Sequence, residues 1–498
     1  MRSQAACQSL TSRRDSGSGN FGKSIRYTPF CTKISNKTHF LHFFFNFCIL
    51  LEQKGSIHRL LEVKAMLIEF SVENFLSFQK EAKLSMVAAR SFREHKDTHT
   101  INIDKKMVLL KSAIIFGNNG SGKSNLIRAM NFMKIIVLNS FRDALLDNGE
   151  NIFPLEKFAL NSESEKKPSL FEISFIYNDV KYRYGFEIDN NQIISEWLFH
   201  TTSKEVFLFK REGQNIEINK SSFKEAIGKE KDVRENVLFL SLLATLGKET
   251  SSNIIDWFKK FRFINGINDS GHKKYTVEKL KQDEGFKKWI LHFIKYLEIS
   301  NLSTKEEFFD ESKLDLIKDD EVYNLINSLN RKNKKLKIDQ ILTYHRKYDG
   351  SNLLIDTIPF NFEKQESDGT KKLIYLLGPW YDTLKNGTLL IVDELDSRLH
   401  SHLTSRLIEF FHLYNTRKAQ LIFASHDTAL LDKELFRRDQ VWFVEKDQFG
   451  NSNLISLGDY KTDKVRNKSA FSKNYLNGKY GAIPYFDFDK ELVDLLHG

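Results

Sequence analysis

From Met66 onward the chain alternates apolar and polar side chains. Leu67, Phe70, Val72, Phe75 and Phe78 are separated by Glu69, Ser71, Glu73 and Ser77, a period of two that predicts a strand and its continuation. A short strand is expected at 83–88, and 106–110 leads into a run that is apolar at every position, 113–116. Such a run reads as a strand buried on both faces. The period then changes. Leu126, Ala129, Met130 and Met133 fall on one face of a helix expected from Gly122 to about Ser140. Residues 170–177, 180–188 and 193–199 return to strand-like patterns, with turns at Asn178-Asp179 and Asn190-Asn191, and 206–218 adds a hairpin around Glu212-Gly213. Helical spacing takes over from about 220 to 337, at 237–246, 254–263, 286–296 and 322–329, without a sustained heptad. A strand is expected at 338–344 and a helix at 373–384, where Gly378-Pro379 bends or restarts it. Two more buried strands, 388–392 and 420–424, follow.

The junction between the buried strand and the first helix carries chemistry. Gly117, Asn118, Asn119, Gly120, Ser121, Gly122, Lys123 and Ser124 match G-x-x-x-x-G-K-[ST] in a strand–loop–helix setting. Glycines let the backbone curl so that successive N–H groups face a phosphate, and the helix N-terminus adds a favourable dipole. Lys123 can reach the β- and γ-phosphates and Ser124 can ligand Mg²⁺. Asn125, the next residue of the helix, joins the nucleotide-binding set. The motif predicts ATP and Mg²⁺ as the ligands.

The strand 388–392 ends in Asp393-Glu394, the Walker B pattern. Its carboxyl end lies where ligands bind in such sheets. Asp393 is expected to hold Mg²⁺ and Glu394 to act as general base on the attacking water. Ser425-His426-Asp427 follows the strand 420–424, which places His426 within reach of the γ-phosphate. The predicted catalytic set is therefore Glu394, His426 and Lys123. Glu366-Ser367-Asp368-Gly369-Thr370-Lys371-Lys372 caps the helix at 373–384. This is either an N-cap alone or a second anion cradle.

Composition changes the picture mainly at the N-terminus. The net charge is +10, but residues 1–65 hold ten Lys/Arg against three Asp/Glu, or +7, leaving only +3 for the rest. Bulk charge therefore does not argue for nucleic acid. The strongest basic run, Arg331 to Lys337, is read as a solvated turn, with a phosphate contact as its sharper alternative. Cys7, Cys31 and Cys48 all lie in the same first segment, so no disulfide framework or cysteine metal site is expected in the body. The apolar run 39–51 is too short to span a bilayer. Residues 1–65 are expected to be an over-extended start or, alternatively, a targeting or anchoring extension. The remaining chain is expected to divide into a first head half, 66–219, a helical insertion, 220–337, and a second head half, 338–498.

Taken together, FGNNGSGKSNL (116–126), ESDGTKK (366–372), LLIVDELDSRLH (389–400) and ASHD (424–427) resemble ABC-type ATPases of the RecF/SMC/OLD kind. With MLIEFSVENFLSF (66–78), VWFVEKD (441–447) and YLNGKYGAIP (475–484), the chain is similar to the RloA-like, abortive-infection ATP-binding proteins of bacteria. The resemblance implies an α/β P-loop head with a mixed sheet and antiparallel hairpins plus an inserted, mainly helical lobe. It also implies a head-to-head homodimer, or a higher oligomer, in which Ser367 and Gly369 of one subunit contact ATP held by the other. Residues 396–400 fall at the D-loop. The implied role is a cytoplasmic ATPase in anti-phage defence, with no membrane segment and with a separately encoded effector such as a TOPRIM-type nuclease. A DNA-repair ATPase clamping DNA ends is the alternative, and nucleic acid is a possible partner.

Overall fold

The computed structural model describes residues 65–143, 154–190, 192–267, 270–308, 337–460, 471–480 and 495. The N-terminal segment, the expected helix at 322–329, the basic run at 331–336 and the motif end at 481–484 lie outside them.

Walking the chain, β1 (Ala65–Glu73), β2 (Ala82–Ser85), β3 (Thr100–Asn102), β4 (Val108–Leu110) and β5 (Ser112–Gly117) precede the long helix α1 (Lys123–Asp143). Five strands follow: β6 (Ser169–Tyr177), β7 (Val180–Ile188), β8 (Ile193–Thr201), β9 (Glu205–Glu212) and β10 (Asn215–Ile218). Next come α2 (Phe239–Thr245), α3 (Glu249–Lys259), β11 (Arg262–Asn265), α4 (Ser270–Gln282), α5 (Glu284–Phe293) and β12 (Ile299–Phe308). The last part holds β13 (Lys337–Tyr348), β14 (Leu354–Asn361), α6 (Asp368–Asn386), β15 (Leu389–Asp393), α7 (Ser401–Tyr414), β16 (Gln420–Ala424), β17 (Val441–Lys446) and β18 (Ser452–Ser456).

Two large sheets result. The central one has the order β11-β15-β16-β5-β17-β18, parallel throughout except for the antiparallel edge strand β18. Its register aligns the carboxyl ends: Asn265 pairs with Asp393, Val392 with Phe423, Ala424 with Ile115, and Val444 with Gly117. The other sheet, β10-β9-β8-β7-β6-β1-β2, is antiparallel. Its β6–β7 connection is the expected Asn178-Asp179 turn, with φ of 49° and 66°, the two positive values that a two-residue hairpin requires.

The apolar face of α1 (Leu126, Ala129, Met130, Met133) shares one continuous core with both sheets and with α2 and α3. Phenylalanines dominate it: Phe132 lies 5.0 Å from Phe75 and 5.2 Å from Phe171, ring to ring. Buried Gln420 joins the sheets by donating to the carbonyls of Leu67 (3.0 Å) and Leu110 (3.2 Å) and accepting from the Leu67 amide at 2.6 Å.

Two differences from the sequence pattern have physical causes. The stretch 254–263 is not one helix: α3 ends at Lys259, and Arg262–Asn265 forms an edge strand beside the Walker B strand. Residues 299–308 are likewise a strand, in the small sheet β12-β13-β14, so the expected helical stretch is crossed by two strands. The second difference is that α6 runs through Pro379 unbroken. Proline withholds the N–H that would bond the carbonyl four residues back, at Tyr375. Thr276 of α4 supplies the missing donor, with its Oγ1 2.6 Å from that carbonyl. Gly378 makes room for it, since a Cβ there would lie 2.2 Å from Thr276 Oγ1. Thr276→Val keeps the shape and removes the donor, so chemical denaturation should show a loss of about 1–3 kcal/mol.

Candidate nucleotide site

Every residue of β5 is buried, which fixes the loop at its end rigidly between the layers. A Cβ on Gly117 would lie 2.4 Å from the Val444 carbonyl oxygen, so only glycine fits there. Gly122 has a φ of +115°, and a Cβ there would lie 2.4 Å from Ser452 Oγ and 2.6 Å from Ser77 Oγ. Ser77 and Ser452 therefore leave no room for a side chain at Gly122, whose positive φ also calls for glycine.

Lys123 opens α1 and folds back over the loop. Its Nζ donates to the carbonyls of Gly117 (2.8 Å) and Asn118 (3.0 Å). Burial lowers its pKa to about 8, against the opposing pull of Asp393, Glu394 and Asp396. The Ser124 hydroxyl donates to Asp393 Oδ1 at 3.1 Å, although β5 and β15 are separated by β16. The pair expected to share a divalent ion is thus together.

Glu394 follows Asp393 with a φ of +52°, a strained conformation for a side chain with a Cβ. Its Oε1 lies 3.9 Å from His426 Nε2. Lys123 Nζ is 3.4 Å from His426 Nδ1. An ammonium can only donate, so Nδ1 accepts and the imidazole proton sits on Nε2, facing Glu394. Burial, then the charge on Lys123, lowers the His426 pKa below its usual value despite the neighbouring carboxylates, so the ring is neutral at pH 7. The Asp396 carboxylate accepts from the His426 amide at 3.2 Å.

Three buried polar atoms here lack a partner among the described residues: Asn118 Oδ1, Ser121 Oγ and Asp396 Oδ1. Buried polar groups are seldom left so. Their clustering on the P-loop and beside His426 fits a site shaped for a polar, highly charged ligand. Asn119 and Gly120 complete the exposed rim of the loop, and Gly120 has a φ of +72°. Asn125 turns its amide to Ser77 Oγ at 2.9 Å and braces the loop from the side.

The segment expected as a signature lies at the N-terminus of α6. Ser367 is the N-cap, accepting from Thr370 N at 3.1 Å. Gly369 packs on the D-loop of its own chain, where a Cβ would lie 2.9 Å from the Arg398 carbonyl oxygen. The preceding Glu366 accepts from Thr343 Oγ1 and from His345 Nε2 (2.7 Å), which ties the tip to β13. Among the described residues, Ser367 and Gly369 make no hydrogen bond to the P-loop of the same chain.

Sequence reasoning gave no role to Ser77, Ser452 or Gly266, and read Lys372 only as part of the cap of the helix expected at 373–384; the Ser77 and Ser452 hydroxyls shape the loop, and Lys372 meets Gly266 behind Glu394. Ser77 sits in a turn and Ser452 at the start of a strand, with nothing local to mark either.

Residues 112–432 match the family described as "AAA domain, putative AbiEii toxin, Type IV TA system". The chain belongs to this family. The P-loop and the Walker B strand both lie within the matched residues, on the α/β fold with the mixed sheet described above. Among solved structures it is similar to the SMC head domain from Thermotoga maritima, at 12% identity and a TM-score of 0.35, covering 78% of this chain and 98% of that one. An SMC head bound to the C-winged helix domain of ScpA matches at 11% identity and a TM-score of 0.36, covering 78% of this chain and 97% of that chain. No curated protein matches the chain.

Proposed function

We propose that the protein binds ATP with Mg²⁺ at Gly117–Ser124 and hydrolyses it as an ATP-gated homodimer. The observation that carries this reading is the convergence of Lys123, Ser124, Asp393, Glu394 and His426, from three separate segments, on one P-loop edged by unpartnered buried polar atoms. Ser124 and Asp393 would hold the divalent ion, which supplies charge neutralisation on the phosphates. Lys123 leaves its loop carbonyls to pair with phosphate oxygens. Glu394 orients a water and takes its proton. His426, protonated on Nε2, donates to a γ-phosphate oxygen. The main contributions are positioning and preorganised charge.

The second half of the site comes from another copy. Ser367 and Asp368 are not buried, and Gly369 lets a phosphate approach the first turn of the 19-residue helix α6. Two copies facing each other would each complete the other's site. Hydrolysis should therefore depend on protein concentration, with turnover per chain rising steeply on dilution series toward higher concentration. Turnover per chain that stays constant across the series would reject the composite site.

ATP binding should also report the state of Lys123. Free, the ammonium has a pKa of about 8; beside phosphates it is raised. The bound state therefore holds the proton more tightly, and affinity is full below pH 8 and falls as pH rises above it. Titration of a fluorescent ATP analogue between pH 7 and pH 9.5 measures this.

The biological setting we infer is bacterial defence by abortive infection, in the cytoplasm, with a separately encoded effector such as a TOPRIM-type nuclease. The family description, with its AbiEii toxin, supports the abortive-infection part of this reading. Phage challenge of cells carrying the wild-type gene or its Lys123→Ala variant, together with the neighbouring gene, tests it. Equal plaque counts on both strains would overturn the defence reading.

A further inference from the structure

Lys372 is fully buried, unlike its neighbour Lys371, which pairs with the exposed carboxylate of Asp368 at 2.9 Å. A buried ammonium is costly unless it is well partnered. Lys372 Nζ donates to the Gly266 carbonyl and lies 3.5 Å from the Glu394 carbonyl oxygen. These two oxygens belong to the ends of β11 and β15, side by side. The Gly266 amide donates to Asp393 O at 2.7 Å, and a Cβ on Gly266 would lie 2.1 Å from Glu394 O. Ser397 N closes the turn onto the same Glu394 carbonyl at 3.1 Å.

Backbone in the left-handed region persists at a residue with a Cβ only where its surroundings hold it. Here an ammonium on one side and a close-packed glycine on the other fix the carbonyl of Glu394. With that carbonyl fixed, the direction in which the Glu394 side chain leaves the backbone is fixed too. We propose that Lys372 is a positioning residue that holds the Glu394 turn in its left-handed conformation and links the tip of α6 to the hydrolytic site of the same chain.

This rests on the reading of Glu394 as the base. Ser367 and Lys372 lie on the first turns of one rigid helix, so engagement of Ser367 by ATP on a second copy would be felt at Glu394 through Lys372. Hydrolysis in one site would then respond to whether its chain has engaged the other. The element that carries this is a buried ammonium held against backbone carbonyls, not a direct contact to nucleotide.

The test uses the full chain carrying Lys372→Met, which keeps much of the side chain's volume and removes the charge. Affinity for a fluorescent ATP analogue and steady-state turnover are measured together. The expected result is unchanged affinity with kcat lower on the order of a hundredfold. Single-turnover hydrolysis is then compared for Lys372→Met, Glu394→Gln and the double variant. The double variant should be no slower than Glu394→Gln alone, because both lesions act through one group.

Wild-type turnover in Lys372→Met overturns the proposal, as does a double variant whose losses multiply. Wild-type turnover in Glu394→Gln instead removes the base assignment itself, so the two failures are distinguishable. If circular dichroism shows that Lys372→Met does not fold, Gly266→Ala is read in the same way. It leaves Lys372 in place but displaces the Glu394 carbonyl, and wild-type turnover there likewise overturns the proposal.

Discussion

Glu394→Gln should retain ATP binding and lose turnover by about 10²–10⁴-fold, the range that removal of a positioned general base produces. The substitution is nearly isosteric, so it leaves the turn after β15 and its packing in place. The amide cannot accept the proton of an attacking water. Ser124 and Asp393 remain to hold a divalent ion, and Lys123 remains for the phosphates, which is why affinity should survive. His426 sharpens the expectation. Its Nε2 faces Glu394 at 3.9 Å, and its neutral state follows from burial and from Lys123, so it enters the reaction as a hydrogen-bond donor rather than as a second base. Steady-state phosphate release, alongside equilibrium binding of a fluorescent ATP analogue, separates the two effects. Turnover at the wild-type rate would remove Glu394 from the mechanism.

Lys123→Ala should abolish measurable ATP binding, a loss of about 3 kcal/mol or more and so roughly a hundredfold or more in Kd. The ammonium is buried among loop carbonyls and already carries a lowered pKa of about 8. Phosphates would restore the favourable surroundings that its burial has removed. Truncation removes that gain and leaves the carbonyls of Gly117 and Asn118 without their donor, so the loop itself should loosen. Isothermal titration with ATP and Mg²⁺ measures the loss, and a thermal melt of the variant without nucleotide separates loosening from unfolding. Wild-type affinity would reject the site.

The elements legible in the sequence share one property: their signals are local. The strand at 113–116, the glycine loop and the acids ending the strand at 388–392 each announce themselves within a few residues. The Asn178-Asp179 turn does the same through two residues that tolerate positive φ. What remained hidden depends on partners far along the chain. Arg262–Asn265 is too short to show a period, and its strand state comes from parallel pairing with Leu390–Asp393. Pro379 reads as a helix breaker until Thr276, about a hundred residues earlier, supplies the donor that proline withholds. Lys371 and Lys372 are indistinguishable as letters. One is half-buried and paired with Asp368, and the other is fully buried behind Glu394 because the helix turns it toward β11 and β15. His426 could be placed beside the P-loop from its position after a strand, but its tautomer required the position of Lys123.

The site on a single chain brings together the P-loop, the pair proposed to hold a metal, Ser124 and Asp393, and the proposed base, Glu394. It leaves the tip of α6 facing outward, away from any hydrogen bond to that loop among the described residues. An ATP-gated dimer resolves this by giving Ser367 and Gly369 an ATP to contact on a second copy. The direct measurement is the molar mass of the Glu394→Gln protein by light scattering during size exclusion, with ATP and Mg²⁺ and again with ADP. A dimer with ATP and a monomer with ADP is the predicted result, with the ATP-dependent dimer lost on adding Ser367→Arg. The same mass in both nucleotides, or a dimer indifferent to Ser367→Arg, would contradict it.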